Sequence, residues 1–275
     1  MKNFQNKIIV ITGAASGMGA AYADEFAKLG ARLALCDVNQ EDLRSVSQRV
    51  ADVIGPDNVY SEVVDVSDRH EVFSFADKVR SNLGNAHVII NNAGIAESSA
   101  PIYEMSIEQI EKVTRVNYFG VVYGTKAFLP QLVENNEGAV VNISSIFGLV
   151  APPNTADYSA TKFAVRGFTE ALSVEFMQSP ITIHCVHPGG IATNIAKNTD
   201  SEEFEKLFLT TPPHDIAKHV IKNIKKGKVK IVYGNQASKV WAISNLLPQK
   251  LVNSLLWKFM QDAIDTESYS KFIKK

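Results

Sequence analysis

Short apolar runs rich in Val and Ile recur along this chain, each followed by a longer stretch with helical spacing. "KIIVIT" (7–12) leads into a glycine-rich turn and "GMGAAYADEFAKLG" (17–30), and "RLALCD" (32–37) leads into "EDLRSVSQRVADVI" (41–54). "VYSEVVD" (59–65), "HVIINNAG" (87–94), "GAVVNISS" (138–145), "ITIHCVHPGG" (181–190) and "VKIVYG" (229–234) continue the series. A strand with one wet face alternates apolar and polar residues, whereas a continuously apolar strand needs cover on both faces. The pattern predicts an α/β chain with a doubly wound parallel sheet of about seven strands, flanked by helices and joined by right-handed crossovers.

Segment 106–134 opens on "SIEQ", a capping box, and reads as one helix with Asn117 well inside it. Residues 157–179 read as another, from Asp157 as N-cap to the break before Pro180. No repeat, linker or shift of composition divides the chain. One catalytic domain is expected over 1–235, with a lid at 190–213 and a helical extension over 236–275.

A net charge of -1 gives no electrostatic case for nucleic acid, and "KNIKKGKVK" (222–230) reads as the solvated end of a helix. Cys36 and Cys185, each inside an apolar run, read as buried free thiols. No uncharged apolar run is long enough to span a membrane, and "MKNFQNKIIVITG" has too short an apolar stretch for a signal peptide, so a cytoplasmic protein is expected. His184 and His187 have neither a carboxylate nor a further His nearby, and no metal is expected.

"TGAASGMG" (12–19) joins the first strand to the first helix. Gly13 suits a tight turn, Gly17 lets backbone approach a pyrophosphate and Gly19 lets helix and sheet pack closely, while the helix N-terminus offers free N–H groups to phosphates. Ser16 and Met18 complete the expected contacts of this turn with a dinucleotide. Asp37 ends the second strand, eighteen positions after Gly19, where a carboxylate can accept from a ribose. It would repel a 2′-phosphate by about 4 kcal/mol at about 4 Å and an effective dielectric near 20, before solvent screening. No basic residue stands at Ser16 or Val38 to offset it, so NAD is expected over NADP; the rival role for Asp37 is capping the helix that begins near Gln40. Val38, Asp65, Val66, Asn91, Ala93 and Gly94 lie at or beside the carboxyl ends of strands, where ligands of such sheets bind. For Asn91 a structural role competes equally with cofactor contact.

In "YSATK" (158–162) Tyr158 and Lys162 are four apart and share a helix face. Hydride transfer to or from a carbinol carbon needs a partner for the hydroxyl proton. A phenol suits that role once stabilised as its anion, which takes about 4 kcal/mol to reach from a pKa near 10 to neutrality. A positive charge one turn away supplies part of it.

Taken in order, TGxxxGxG at 12–19, NNAG at 91–94, Asn117, Ser145, YxxxK at 158–162 and "PGGIAT" at 188–193 resemble the short-chain dehydrogenase/reductase family over roughly residues 5–235. The resemblance implies a Rossmann-type sheet, a nicotinamide cofactor and interconversion of an alcohol and a carbonyl compound. It implies catalytic roles for Asn117, Ser145, Tyr158 and Lys162, with Ser145 binding the substrate oxygen and Asn117 holding a water that links Lys162 to solvent. The cofactor would also meet Tyr158, Lys162, Pro188, Gly189, Ile191 and Thr193.

Around the reacting group, Ser145, Phe147, Tyr158, Phe204 and Phe208 are the expected substrate contacts. "IFGLVAPPN" (146–154) and the apolar part of 194–213 read either as opposing walls of a pocket for a hydrophobic secondary alcohol or ketone of steroid-like, terpenoid or long-chain type, or equally as residues that pack on each other or on a neighbouring subunit. The tail carries an apolar stripe of Leu251, Val252, Leu255, Leu256, Phe259 and Met260, with Trp241 and Trp257 beside it. Packing on the chain's own substrate region or on a second copy is preferred for this stripe, and contact with a membrane surface is the third reading. A homodimer or homotetramer is expected. The rival functions are reduction of 3-oxoacyl thioesters with NAD(P)H, against which Asp37 argues, and a non-catalytic dinucleotide-sensing scaffold, against which the retained Tyr158 and Lys162 argue.

Overall fold

A computed structural model describes residues 1–97, 99–196, 208–261 and 269. Seven strands form one parallel sheet in the order β3-β2-β1-β4-β5-β6-β7: β1 (Ile8–Thr12), β2 (Arg32–Asp37), β3 (Val59–Val63), β4 (Val88–Asn91), β5 (Gly138–Ile143), β6 (Ile181–Pro188) and β7 (Lys230–Tyr233). This is the doubly wound, Rossmann-type sheet that the apolar strands predict. The order reverses between β1 and β4, and at such a point the following loops diverge and leave a crevice.

Alternate residues of each strand feed two cores. Ile9, Ile11, Leu33, Leu35, Ile90 and Val141 pack with α1 (Gly17–Ala27), α2 (Gln40–Ile54) and the helix Pro213–Ile224. Ile8, Val10, Ala34, Cys36, Ile89 and Val140 face α3 (Arg69–Asn82) and the helices that follow β4 and β5. Both cysteines are free and buried.

Two helices depart from expectation. Segment 106–134 is α4 (Ile107–Thr114) and α5 (Gly120–Glu134), joined by a widened π turn over Arg115–Phe119. Ser106 caps α4 as expected, its side chain accepting from Gln109 N–H. The π turn carries Asn117, whose side chain leaves the helix to bind the loop after β4, and such turns often mark functional sites. Asp157 is not an N-cap. Helix α6 runs Ala156–Glu175 from Thr155, and Asp157 sits in its first turn, accepting from Tyr158 N–H and Gln109 Nε2.

Helices α7 (Pro213–Ile224), α8 (Ala237–Leu246) and α9 (Gln249–Met260) complete the described chain. Phe204 and the rest of 197–207, the centre of the expected lid, lie outside the described residues, as do 262–268 and 270–275.

Candidate active site

Every strand points its carboxyl end at the same edge of the sheet, so the loops after β1, β4, β5 and β6 meet there. The turn after β1 adopts left-handed backbone at Gly13 (φ 64°) and Gly17 (φ 52°). Gly19 is required for another reason: a Cβ there would lie 1.9 Å from the Gly13 carbonyl oxygen. The loop after β6 crosses this turn so closely that a Cβ on Gly17 would stand 3.1 Å from Thr193 Cγ2.

Asp37 has a task that sequence reasoning missed. One carboxylate oxygen accepts from Ala15 N–H at 3.0 Å and the other from Asn39 N–H at 3.0 Å, so the end of β2 braces the glycine turn. Helix α2 is capped by Asn39 rather than by Asp37. Val38 is exposed beside it. Asp65 lies in the exposed loop after β3 and accepts from Ser67 N–H, while the Val66 side chain is buried against Gly120 of α5.

The two asparagines that open "NNAG" divide their work. Asn91 is buried, and its amide donates to Thr125 and Asn142, so its side chain tethers β4 to β5 and α5 inside the fold. Of the two roles read for Asn91, the structural one is the role its side chain takes here. Asn92, absent from the expected contacts, donates from Nδ2 to the carbonyls of Thr12 and Gly13, while Thr12 Oγ1 accepts from the N–H groups of Asn92 and Ala93. The loops after β1 and β4 are thereby locked together, with Ala93 and Gly94 at their junction.

Catalytic candidates Asn117, Ser145, Tyr158 and Lys162 converge behind Gly94. Lys162 is buried, donates to the Ile143 carbonyl at 3.1 Å and lies 5.4 Å from the centroid of the Tyr158 ring. Burial lowers its ammonium group to about 8. Burial raises the Tyr158 phenol to about 12, an effect that a hydrogen bond with the Ser145 side chain opposes. Asn117 accepts from Ile95 N–H at 2.8 Å and donates to the Ile95 carbonyl at 2.9 Å and to Thr161. A Cβ on Gly94 would stand 3.3 Å from both Asn117 Oδ1 and Lys162 Nζ, so glycine keeps this corner open.

The serine pair separates as clearly. Ser144 Oγ donates to the Lys162 carbonyl and fastens β5 to α6, whereas Ser145 caps the short 3₁₀ turn Ile146–Gly148 and reaches the cavity. His187 supports it from below, its Nδ1 lying 2.9 Å from the Ser145 carbonyl. Burial drives His184 and His187 down to about 4 and keeps both neutral. His184 lies 2.8 Å from both the Lys228 carbonyl and Thr182 Oγ1.

Above these groups opens a cavity of about 280 Å³. Ser145, Tyr158 and Lys162 line it together with Met18, Gly94, Pro188, Gly189, Ile191 and Thr193. Phe147, edge-on to the Tyr158 ring, and Phe208 also line it. Leu149, expected in this wall, is buried elsewhere and does not line it. Much of the outer wall comes from α8 and α9, through Val240, Ile243, Val252, Leu255, Leu256 and Phe259. The amphipathic stripe of the tail was the signal for that wall.

A dinucleotide suits this edge. Helix α1 begins with no side-chain cap at Ser16, which leaves backbone N–H groups for phosphates, and Met18, Thr193 and Tyr158 line one cavity beside it. Asp37 stands at the far end, beyond the cavity.

Comparison with known proteins gives the same picture. The family model for short chain dehydrogenases matches residues 7–203. SadH of Mycobacterium tuberculosis, provisionally named an oxidoreductase, is 39% identical over 274 residues, covering 94% of this chain and 98% of that protein. Human estradiol 17-beta-dehydrogenase 11 is 30% identical over 254 residues, covering 91% of this chain and 82% of its own. Among solved structures, a short chain dehydrogenase/reductase from Burkholderia phymatum in complex with NAD superposes with a TM-score of 0.83 at 25% identity, covering 91% of this chain and 96% of that one. Levodione reductase gives 0.78 at 27% identity, covering 89% and 100%.

Proposed function

The chain belongs to the short-chain dehydrogenase family of oxidoreductases, and from that premise we propose that it interconverts a hydrophobic secondary alcohol and its ketone with NAD. The observation that carries this reading is the placement of Tyr158, Lys162 and Ser145 together in the lining of a largely apolar cavity. A substrate whose only polar group is its hydroxyl or carbonyl suits that lining.

Bound nicotinamide supplies the hydride acceptor or donor; the chain supplies the proton and the geometry. Tyr158 takes the hydroxyl proton in oxidation and returns it in reduction. Ser145 donates to the substrate oxygen and stabilises the charge that develops there. Lys162, held on the Ile143 carbonyl, keeps a positive charge beside the phenol and favours its anion. Asn117 positions Ile95 and the corner of Gly94 against Lys162.

Asp37 supports NAD over NADP, since a carboxylate fixed by two backbone N–H groups cannot swing away from a 2′-phosphate. The solved relative with NAD bound supports the same preference. That estradiol 17-beta-dehydrogenase 11 is a relative supports a bulky apolar substrate. A panel of secondary alcohols of increasing apolar size, offered with NAD and with NADP and followed by absorbance of the reduced cofactor, tests the proposal. Turnover should rise with apolar size and favour NAD; no alcohol oxidised with either cofactor would refute it.

A further inference from the structure

Helix α9 presents two neighbouring ridges, each built from residues four apart. Val252, Leu256 and Met260 turn inward, and all three line the cavity. Leu251, Leu255 and Phe259 turn outward, and Leu251 and Phe259 remain 52% and 62% exposed. Leu246, at the end of α8, is 79% exposed, and Leu247, Trp241 and Trp257 are also open to solvent. The charges of α8 and α9 have one sign: Lys239, at the cavity rim, Lys250 and Lys258 are exposed, and no Asp or Glu occurs between 237 and 260. None of the three lysines is ion-paired among the described residues.

We propose that α8 and α9 dock this chain on the surface of an anionic lipid bilayer. Apolar side chains with Trp and Lys around them match the chemistry of the interface, where rings and aliphatic groups enter the headgroup region and ammonium groups meet lipid phosphates. Self-association fits this face poorly, because a twofold contact sets the same patch against itself and brings like charges together. No described helix is long and apolar enough to cross a membrane, so the contact is peripheral. Leu255 and Phe259 belong to both the exposed face and the cavity wall, which places the cavity mouth against the bilayer. An apolar alcohol dissolved in lipid then reaches Tyr158 without crossing water, a consequence that rests on the proposed function; the docking itself does not.

Sedimentation of the full chain with phosphatidylcholine vesicles, and with vesicles containing phosphatidylserine, tests the docking without any need for turnover. Two double variants accompany it, Leu246→Glu with Leu251→Glu and Lys250→Glu with Lys258→Glu, none of these residues lining the cavity. Thermal unfolding checks that each variant folds. The unmodified chain is expected to pellet with the anionic vesicles only, and each variant to need roughly tenfold more lipid. A chain that stays in the supernatant, or variants that pellet like the parent, would overturn the proposal. So would a fall in oligomeric mass of the leucine variant in lipid-free solution, which would assign the face to a second copy. Failure to oxidise any alcohol would count against the proposed function alone.

Discussion

The Lys162 ammonium group lies 5.4 Å from the centroid of the Tyr158 ring while it donates to the Ile143 carbonyl. Burial acts on both residues against charge, raising the phenol to about 12 and lowering the ammonium to about 8. The Ser145 hydrogen bond opposes the effect of burial on the phenol, and the ammonium group stands close enough to favour a phenolate once it forms.

Oxidation needs the tyrosinate, so its rate should rise with pH as Tyr158 ionises, while reduction uses the protonated phenol already present at neutral pH. Removing the neighbouring charge in Lys162→Met should move the rising limb of oxidation to higher pH and lower turnover near pH 7 by about a hundredfold. Steady-state pH profiles of kcat and kcat/KM check this; an unshifted limb would separate Lys162 from the proton transfer.

At the adenosine end, Asp37→Asn removes the charge and keeps one acceptor oxygen. The ratio of kcat/KM for NADP to that for NAD should rise by about tenfold once solvent screening is allowed for. Because Asp37 also braces Ala15 and Asn39, Asp37→Ala should lose about 1–2 kcal/mol of stability, and Asp37→Asn less. Cofactor kinetics and denaturant unfolding separate the two roles.

Gly19→Ala drives a methyl group into the Gly13 carbonyl, with the Asn92 side-chain amide 2.9 Å away. The turn must open, so NADH binding measured by fluorescence should weaken severely and stability should fall by about 1–3 kcal/mol. Gly167→Ala on α6, where an added Cβ meets nothing within 4 Å, is the matched control and should leave both unchanged or slightly improved.

His184 and His187 give the fold an acid limit. Both are held neutral at about 4, against about 6.5 in an unfolded chain, so between those values the unfolded chain binds more protons. Stability should therefore fall as pH drops from about 6.5 to 4, by on the order of 2–3 kcal/mol for each histidine. His184→Gln should flatten part of that slope in urea unfolding at stepped pH.

Local chemistry made the sheet legible: apolar strands, the glycine turn and the four-residue spacing of Tyr158 and Lys162 each depend on neighbours in sequence. The misread features depend on partners far along the chain. Nothing within "NNAG" says that Asn91 faces Thr125 and Asn142 while Asn92 faces Thr12, because the pleat of β4 and the position of α5 decide it. Asp157 had the composition of a cap, yet the chain enters α6 two residues earlier, at Thr155. The second role of Asp37 and the support of Ser145 by His187 are contacts between adjacent strands and loops, invisible in spacing. The tail stripe predicted an amphipathic helix correctly but not which ridge would face the cavity.

Tyr158→Phe tests the central claim most directly. It removes one oxygen from a ring held by Phe147 and Lys162, leaving the ring to pack as before. With a secondary alcohol that the unmodified chain oxidises, the variant should lose turnover by roughly a thousandfold while binding NADH with nearly unchanged affinity. Turnover within a few-fold of the parent would show that another group moves the proton, and the account of this site would fail.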